Sequence, residues 1–137
     1  AMTPAAMAAL MARALPEARG WSEAEFADLI QRNGAIVTGG ANAFVIGQAI
    51  AGEAEIFMVA TAPDARRQGH ARRALQDFHA AAQSAGADRV ILDVAADNSG
   101  AIALYQRAGY RQIAERKDHY ARRDSPAISA LILEKRL

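Results

Sequence analysis

The chain of 137 residues contains no cysteine. That absence excludes disulfide frameworks, thiolate zinc sites and cysteine nucleophiles together. Its three histidines, His70, His79 and His119, show no metal-ligand spacing, so no metal centre is expected. An excess of charge is missing too, since sixteen basic and fifteen acidic residues leave a net charge of +1. No basic surplus is there to track a nucleic-acid backbone, and no nucleic-acid partner is expected. Lysine is scarce, two against fourteen arginines, which points to coding bias in the source and not to a binding site. No apolar run approaches the roughly 18 residues that would span a bilayer, and no cleavable leader is recognised. The expectation is a cytoplasmic chain with no membrane partner. Internal repeats, low-complexity linkers and domain boundaries are absent as well. Ala1 ahead of Met2 is read as a cloning leftover.

What is present fits one domain over residues 1–137, of a size that buries roughly two-thirds of its unfolded surface without staples. Apolar residues make up 52%, but 35 residues are alanine, so the bulky core is small and helices are favoured where alanine clusters. Pro4 to Leu15 reads as a short helix closed by Pro16 and Gly20. Ser22-Glu23-Ala24-Glu25 has the capping-box form, and Phe26, Leu29 and Ile30 follow at helical spacing before Asn33-Gly34. Three strand signals come next: Ala35–Thr38, Ala43–Ile50 and Glu55–Thr61, joined by glycine turns as an antiparallel meander. Gly69 to Ala85 is helical, with Leu75, Phe78 and Ala82 in one stripe and Gly86 behind it. Arg89–Val94 reads as a nearly continuously buried strand, and Ala101–Ala108 as a helix capped by Asn98 or Ser99. Tyr110–Ile113 and Ala127–Leu133 are the last strands, with a polar stretch, Glu115 to Pro126, between them. The order α-α-β-β-β-α-β-α-β-β defines an α/β (α+β) fold, a mixed and mostly antiparallel sheet flanked by helices.

The third strand runs through Pro63-Asp64-Ala65 into Arg66-Arg67-Gln68-Gly69-His70-Ala71, where the long helix begins. The first amides of a helix are unpaired and carry partial positive charge. Small residues let that backbone approach a ligand closely, and two arginines add charge. This is a candidate phosphate cradle. It is neither a P-loop nor a dinucleotide fingerprint, because Gly-Lys-Ser/Thr and the three-glycine pattern are both missing.

Arg66-x-x-Gly69-x-Ala71 resembles the Arg/Gln-x-x-Gly-x-Gly/Ala signature of the GCN5-related N-acetyltransferases. Asn98-Ser99-Gly100-Ala101-Ile102-Ala103-Leu104-Tyr105, ending in Gly109-Tyr110, resembles their second signature. Within that superfamily the chain is most similar to the RimI-type ribosomal-protein-alanine N-acetyltransferases. The matching pieces are Trp21-Ser22, Glu53 to Phe57 and Asp118-His119-Tyr120. The resemblance implies that acetyl-CoA is the co-substrate, with its pyrophosphate on the loop Arg66, Arg67, Gln68, Gly69, His70 and Ala71. It implies that Met58, Val59, Ala60 and Thr61 pair with the pantetheine arm, with Val59 N–H as the oxyanion donor. Asn98 and Tyr105 would also contact the coenzyme.

The resemblance further implies direct transfer in a ternary complex, so the lack of cysteine is no obstacle. An α-amino group titrates near 7.7–8.0 and lysine near 10.4, so an N-terminal acceptor asks only about a tenfold correction of its base. Asp93 stands where RimI-type enzymes place a glutamate base, one methylene shorter, and Glu55 on the neighbouring strand is the alternative. Tyr120 matches the family's general acid, and a phenol near 10 suits a thiol leaving group. Tyr105 competes for that role, although it also sits on an apolar helix face. Asn98 serves equally as a helix cap, and His70 and His79 read as surface helix residues. The expected partner is a protein N-terminal peptide, such as that of a ribosomal protein. A small-molecule amine acceptor and a non-catalytic CoA-binding scaffold are the alternatives.

Overall fold

A computed structural model describes residues 2–14, 21–122 and 124–137. Ala1 and the expected helix stop at Leu15, Pro16 and Gly20 lie outside the described residues. Helix α1 (Pro4–Ala14) is followed by α2 (Glu23–Ile30). Both halves of the capping box on α2 form: Ser22 Oγ accepts from Glu25 N–H, and Glu25 Oε1 accepts from Ser22 N–H, each at 3.1 Å. Strands β1 (Ala35–Gly39), β2 (Ala43–Ile50) and β3 (Glu53–Thr61) make the antiparallel meander. A short 3-10 turn, Pro63–Ala65, leads to α3 (His70–Ser84), then β4 (Arg89–Ala95), α4 (Ser99–Arg107), β5 (Arg111–Tyr120) and β6 (Ile128–Arg136).

The six strands form one sheet in the order β1-β2-β3-β4-β6-β5. Among the described residues only β3 and β4 run parallel. Helices cover the two faces unequally. On one face Leu75, Phe78 and Ala82 of α3 and Tyr105 of α4 pack on Val45, Ile56, Val90, Leu92 and Leu133. Gly47 permits that close packing, because a Cβ there would stand 2.8 Å from the Phe78 ring. On the other face Met7, Leu10 and Met11 of α1 and Phe26 and Leu29 of α2 pack on Phe44 and Ile46. Both α3 and α4 end in hydrogen bonds of the Schellman type, Ala87 N–H to Ala82 C=O and Tyr110 N–H to Tyr105 C=O, each at 3.0 Å.

Two expectations are corrected here. Strand β4 is not continuously buried: Val90, Leu92 and Val94 are buried, whereas Asp93 is exposed. Among the described residues no helix packs on the α1/α2 face over β4, β6 and β5, so one side of β4 meets water. The polar stretch after Ile113 is not all loop either, because Glu115 to Tyr120 continue β5. An edge strand with both faces in water needs no apolar alternation, and its backbone pairing with β6 holds it.

Candidate active site

The parallel pairing of β3 with β4 covers only four rungs, from Glu53↔Arg89 to Ile56↔Leu92. Beyond them the strands part. The cause is local to β3, where the register with β2 shifts between Ile46/Gly47, so that Phe57 and Met58 both turn to the α1/α2 side. Ala62 N–H bonds to Asn42 C=O at 2.8 Å, and alternate residues of an antiparallel ladder bond to the same neighbour. Val59 and Thr61 therefore direct their N–H groups away from β2, into the gap beside β4.

A cleft of about 1340 Å³ starts at this gap and runs between α3 and α4. Val59, Ala60 and Thr61 line one wall, Arg66, Arg67, Gly69, His70 and Ala71 form its end, and Asn98 and Tyr105 stand opposite. Gly69 is the N-cap of α3 with φ 81°, a left-handed conformation, and Arg67 before it has φ 63°. A Cβ on Gly69 would meet nothing nearer than an Arg73 nitrogen at 3.9 Å, so the space above the helix start is open. That loop fits a diphosphate: unpaired amides at a fifteen-residue helix start, with guanidinium groups beside them.

Several expected coenzyme contacts have other partners. Met58 does not line the cleft; it packs with the α1/α2 core, and the bulge in β3 is the reason. Gln68 also stays outside, donating to Asp64 C=O at 3.2 Å and sharing a contact of 3.3 Å with the His70 ring. Arg66 lines the cleft, but its guanidinium donates to Ala14 C=O at 3.0 Å and so ties the loop to the end of α1. Asn98 caps α4 by accepting from Ala101 N–H at 3.2 Å. Tyr105 is buried, edge-on to Tyr110 at 5.6 Å, and burial followed by the nearby Tyr120 pushes its phenol up.

His79 is not a surface residue. It lines the cleft, its ring lies 2.7 Å from the Tyr110 hydroxyl, and burial, with a smaller effect of Lys135, lowers its pKa to about 4. A histidine on the same helix as the loop, about two turns further on, was the available sequence signal. The long-range pairing that buries it was not visible in sequence.

On the opposite, uncovered face the register brings the expected acid and bases together. Glu55 pairs with Ile91, two residues before Asp93, so both carboxylates project from the same face of adjacent strands. Loss of solvent raises the Glu55 carboxyl above its usual range; Asp93 and Glu53 raise it further, while Arg116 acts the other way. Tyr120 closes β5 and is the one residue of that strand that is not exposed. Its phenol is raised by burial first and Asp93 next, with Arg122 and Arg116 opposing. The His119 ring stands edge-on to it at 5.1 Å. Nothing in the sequence singles out Arg116 and Arg122, because arginines on a polar stretch carry no periodic signal. Among the described residues no group of three or more His, Asp or Glu side chains could hold a metal ion, and no helix is long and apolar enough to cross a membrane.

A mixed sheet split between two parallel strands, with a phosphate-type loop on one face and carboxylates on the other, defines an acyl-transferase type of architecture. The match to known families is direct. The model of the acetyltransferase (GNAT) family matches residues 5–110, and the chain belongs to that family of N-acetyltransferases. The ribosomal protein bS18-alanine N-acetyltransferase of Escherichia coli is 35% identical over 82 residues, which are 60% of this chain and 55% of that protein. The chain thus spans about half the length of this curated relative. The crystal structure of the ribosomal-protein-S18-alanine N-acetyltransferase from Escherichia coli superposes with a TM-score of 0.85 at 30% identity, covering 97% of this chain and 86% of that one. A chain of the NatC complex bound to Gag peptide and CoA gives a TM-score of 0.80 at 15% identity, covering 98% of this chain and 91% of that one, a likeness of fold alone.

Proposed function

We propose that this chain transfers the acetyl group of acetyl-CoA to the α-amino group of a protein N-terminus, directly, with donor and acceptor bound together. One observation carries the reading: the β3–β4 gap opens on one face to the cleft that ends at Gly69 and on the other to Asp93, Glu55 and Tyr120. Two substrates entering from opposite faces meet in the gap with no need for a covalent enzyme intermediate.

When bound, acetyl-CoA supplies the thioester carbonyl. The amides at the start of α3, with Arg67 beside them, hold its diphosphate. Val59 N–H, directed into the gap, stabilises the oxyanion as charge develops on the carbonyl oxygen. Asp93 takes the proton of the acceptor amine, through a water where the shorter side chain falls short, with Glu55 beside it as second acceptor. Tyr120 returns a proton to the thiolate. Tyr105, sealed against Tyr110, packs along the cleft wall.

The uncovered face over β4, β6 and β5 favours a peptide acceptor, because an extended chain needs an open groove and a small amine does not. The experiment is release of free thiol from acetyl-CoA with alanine-starting peptides, their N-blocked lysine-containing versions, and small amines. Turnover with free alanine-starting peptides alone supports the reading. Turnover with small amines moves the acceptor to that class, and coenzyme binding without turnover identifies a scaffold.

A further inference from the structure

Strand β5 gives Tyr120 little support of its own. Residues 111–119 are all exposed, and the register with β6 breaks between Arg116↔Ala130 and Tyr120↔Ile128. Three residues there face one, and Asp118 takes φ 53° in the bulge. The hydrogen bond across this bulge is long and goes to a side chain, from Asp118 N–H to the Ser129 hydroxyl at 3.4 Å. Tyr120 itself pairs with Ile128 only beyond that break, so the regular ladder does not carry through to it.

Two residues past Tyr120, Arg122 is held firmly. Its guanidinium donates to Asp97 Oδ1 at 2.9 Å, and its side chain is only 14% exposed. Asp97 sits in the turn between β4 and α4, immediately before the Asn98 cap. The same turn is tied to the hairpin by Ala96 N–H to Ser129 C=O at 2.8 Å. The ion pair therefore spans from the Tyr120 end of the hairpin to the loop that joins the Asp93 strand to the Tyr105 helix.

We propose that Arg122 and Asp97 form a latch that positions Tyr120 over the β3–β4 gap, making Arg122 a positioning residue for proton return to the leaving thiolate. The inference rests on Tyr120 being the acid. A pair so little exposed on the arginine side fixes direction where the ladder does not, and its charge works on the phenol as well. The groups facing Tyr120 are Asp93 from β4, Arg116 and His119 from β5, Tyr105 from α4, and Arg122 itself. Arg122 opposes the effect of Asp93, so its removal leaves the phenol a weaker acid.

The test uses Arg122→Gln, Asp97→Asn, Arg122→Lys and the double variant, each also combined with Tyr120→Phe. Arg122→Gln and Asp97→Asn should each lower kcat about tenfold with KM for acetyl-CoA within about twofold, and the pair together should cost no more than either alone. Arg122→Lys, which keeps the charge, should recover part of the loss. The phenolate absorbance assigned to Tyr120, by difference from Tyr120→Phe, should titrate at higher pH in Arg122→Gln. In the Tyr120→Phe background Arg122→Gln should change nothing further. An equal loss in both backgrounds, or an unmoved phenolate titration, would overturn the latch. If Tyr120→Phe alone keeps full kcat, the assignment of the acid fails instead, and the titration still decides whether Arg122 acts on that phenol.

Discussion

At the closed end of the β3–β4 pair, Glu53 stands opposite Arg89, and the arginine bonds Glu53 at 3.0 Å and Glu134 at 2.7 Å. Glu134 is 4% exposed and is also met by Arg111 and Arg136 at 3.5 Å. At the open end, Glu55, Asp93 and Tyr120 lie together on the uncovered face, and no ion pair within 4.0 Å among the described residues occupies the two carboxylates. Both ends use acidic side chains on the same face, Glu53 and Glu55 from β3, Glu134 from β6 and Asp93 from β4. Where carboxylates are matched by guanidinium groups they tie β3, β4, β6 and β5 together, and at the other end they are left unmatched. The clamp at one end is what allows the other to stay open, since four paired rungs must hold strands that diverge beyond them.

The largest effect should come from Gly69→Glu, which puts a side chain at φ 81° and a carboxylate in the loop proposed to hold the diphosphate. Acetyl-CoA affinity by titration calorimetry should fall by about a hundredfold or more; unchanged affinity would remove the loop from the site. Tyr120→Phe should lower kcat by about a hundredfold while acetyl-CoA affinity stays within a few-fold, the range typical of a lost general acid. Asp93→Asn should cost about tenfold below neutral pH and less above pH 8, where the α-amine is already neutral. A flat pH profile in both proteins would separate Asp93 from the chemistry.

Two predictions address the clamp and the cleft wall. The Arg89 hydrogen bond holds the Glu134 carboxyl below its usual range. A depressed carboxylate stabilises the fold above its unfolded pKa of about 4.5, and that contribution is lost as pH falls through the lower folded value. Glu134→Gln should therefore lower Tm at neutral pH, with the difference from the parent shrinking on acidification; a constant difference would argue against the clamp. His79 behaves in the same direction for a different reason: its folded pKa of about 4 lies under the unfolded value near 6.5. Protonation then favours the unfolded chain, and stability drops as pH falls between those values. The total drop should be on the order of 1 kcal/mol after solvent screening, and His79→Gln should remove it in denaturant titrations.

Much of this molecule is legible in sequence because the signals are local. The capping box at Ser22, the stripe Leu75, Phe78 and Ala82, and the glycines Gly86 and Gly109 behind α3 and α4 act within one or two turns, and each forms as expected. The motif around Gly69 is equally local, and its left-handed N-cap stands where the pattern puts it. What the sequence hid involves partners far along the chain. His79 meets Tyr110, Arg122 meets Asp97, and the polar segment from Glu115 becomes a strand because β6 is there to pair with it.

The sequence by itself determined the order of elements, the family and the place of the glycine loop before α3, because turn chemistry, hydrophobic period and motif spacing depend on neighbours a few residues away. Tertiary structure alone decided that Asp93, Glu55 and Tyr120 share one face, that Met58 turns from the cleft, and that β3 and β4 part after Leu92. Those outcomes follow from register and from a single bulge. A one-residue shift in pairing reverses which face a side chain occupies, and nothing within one strand fixes that shift.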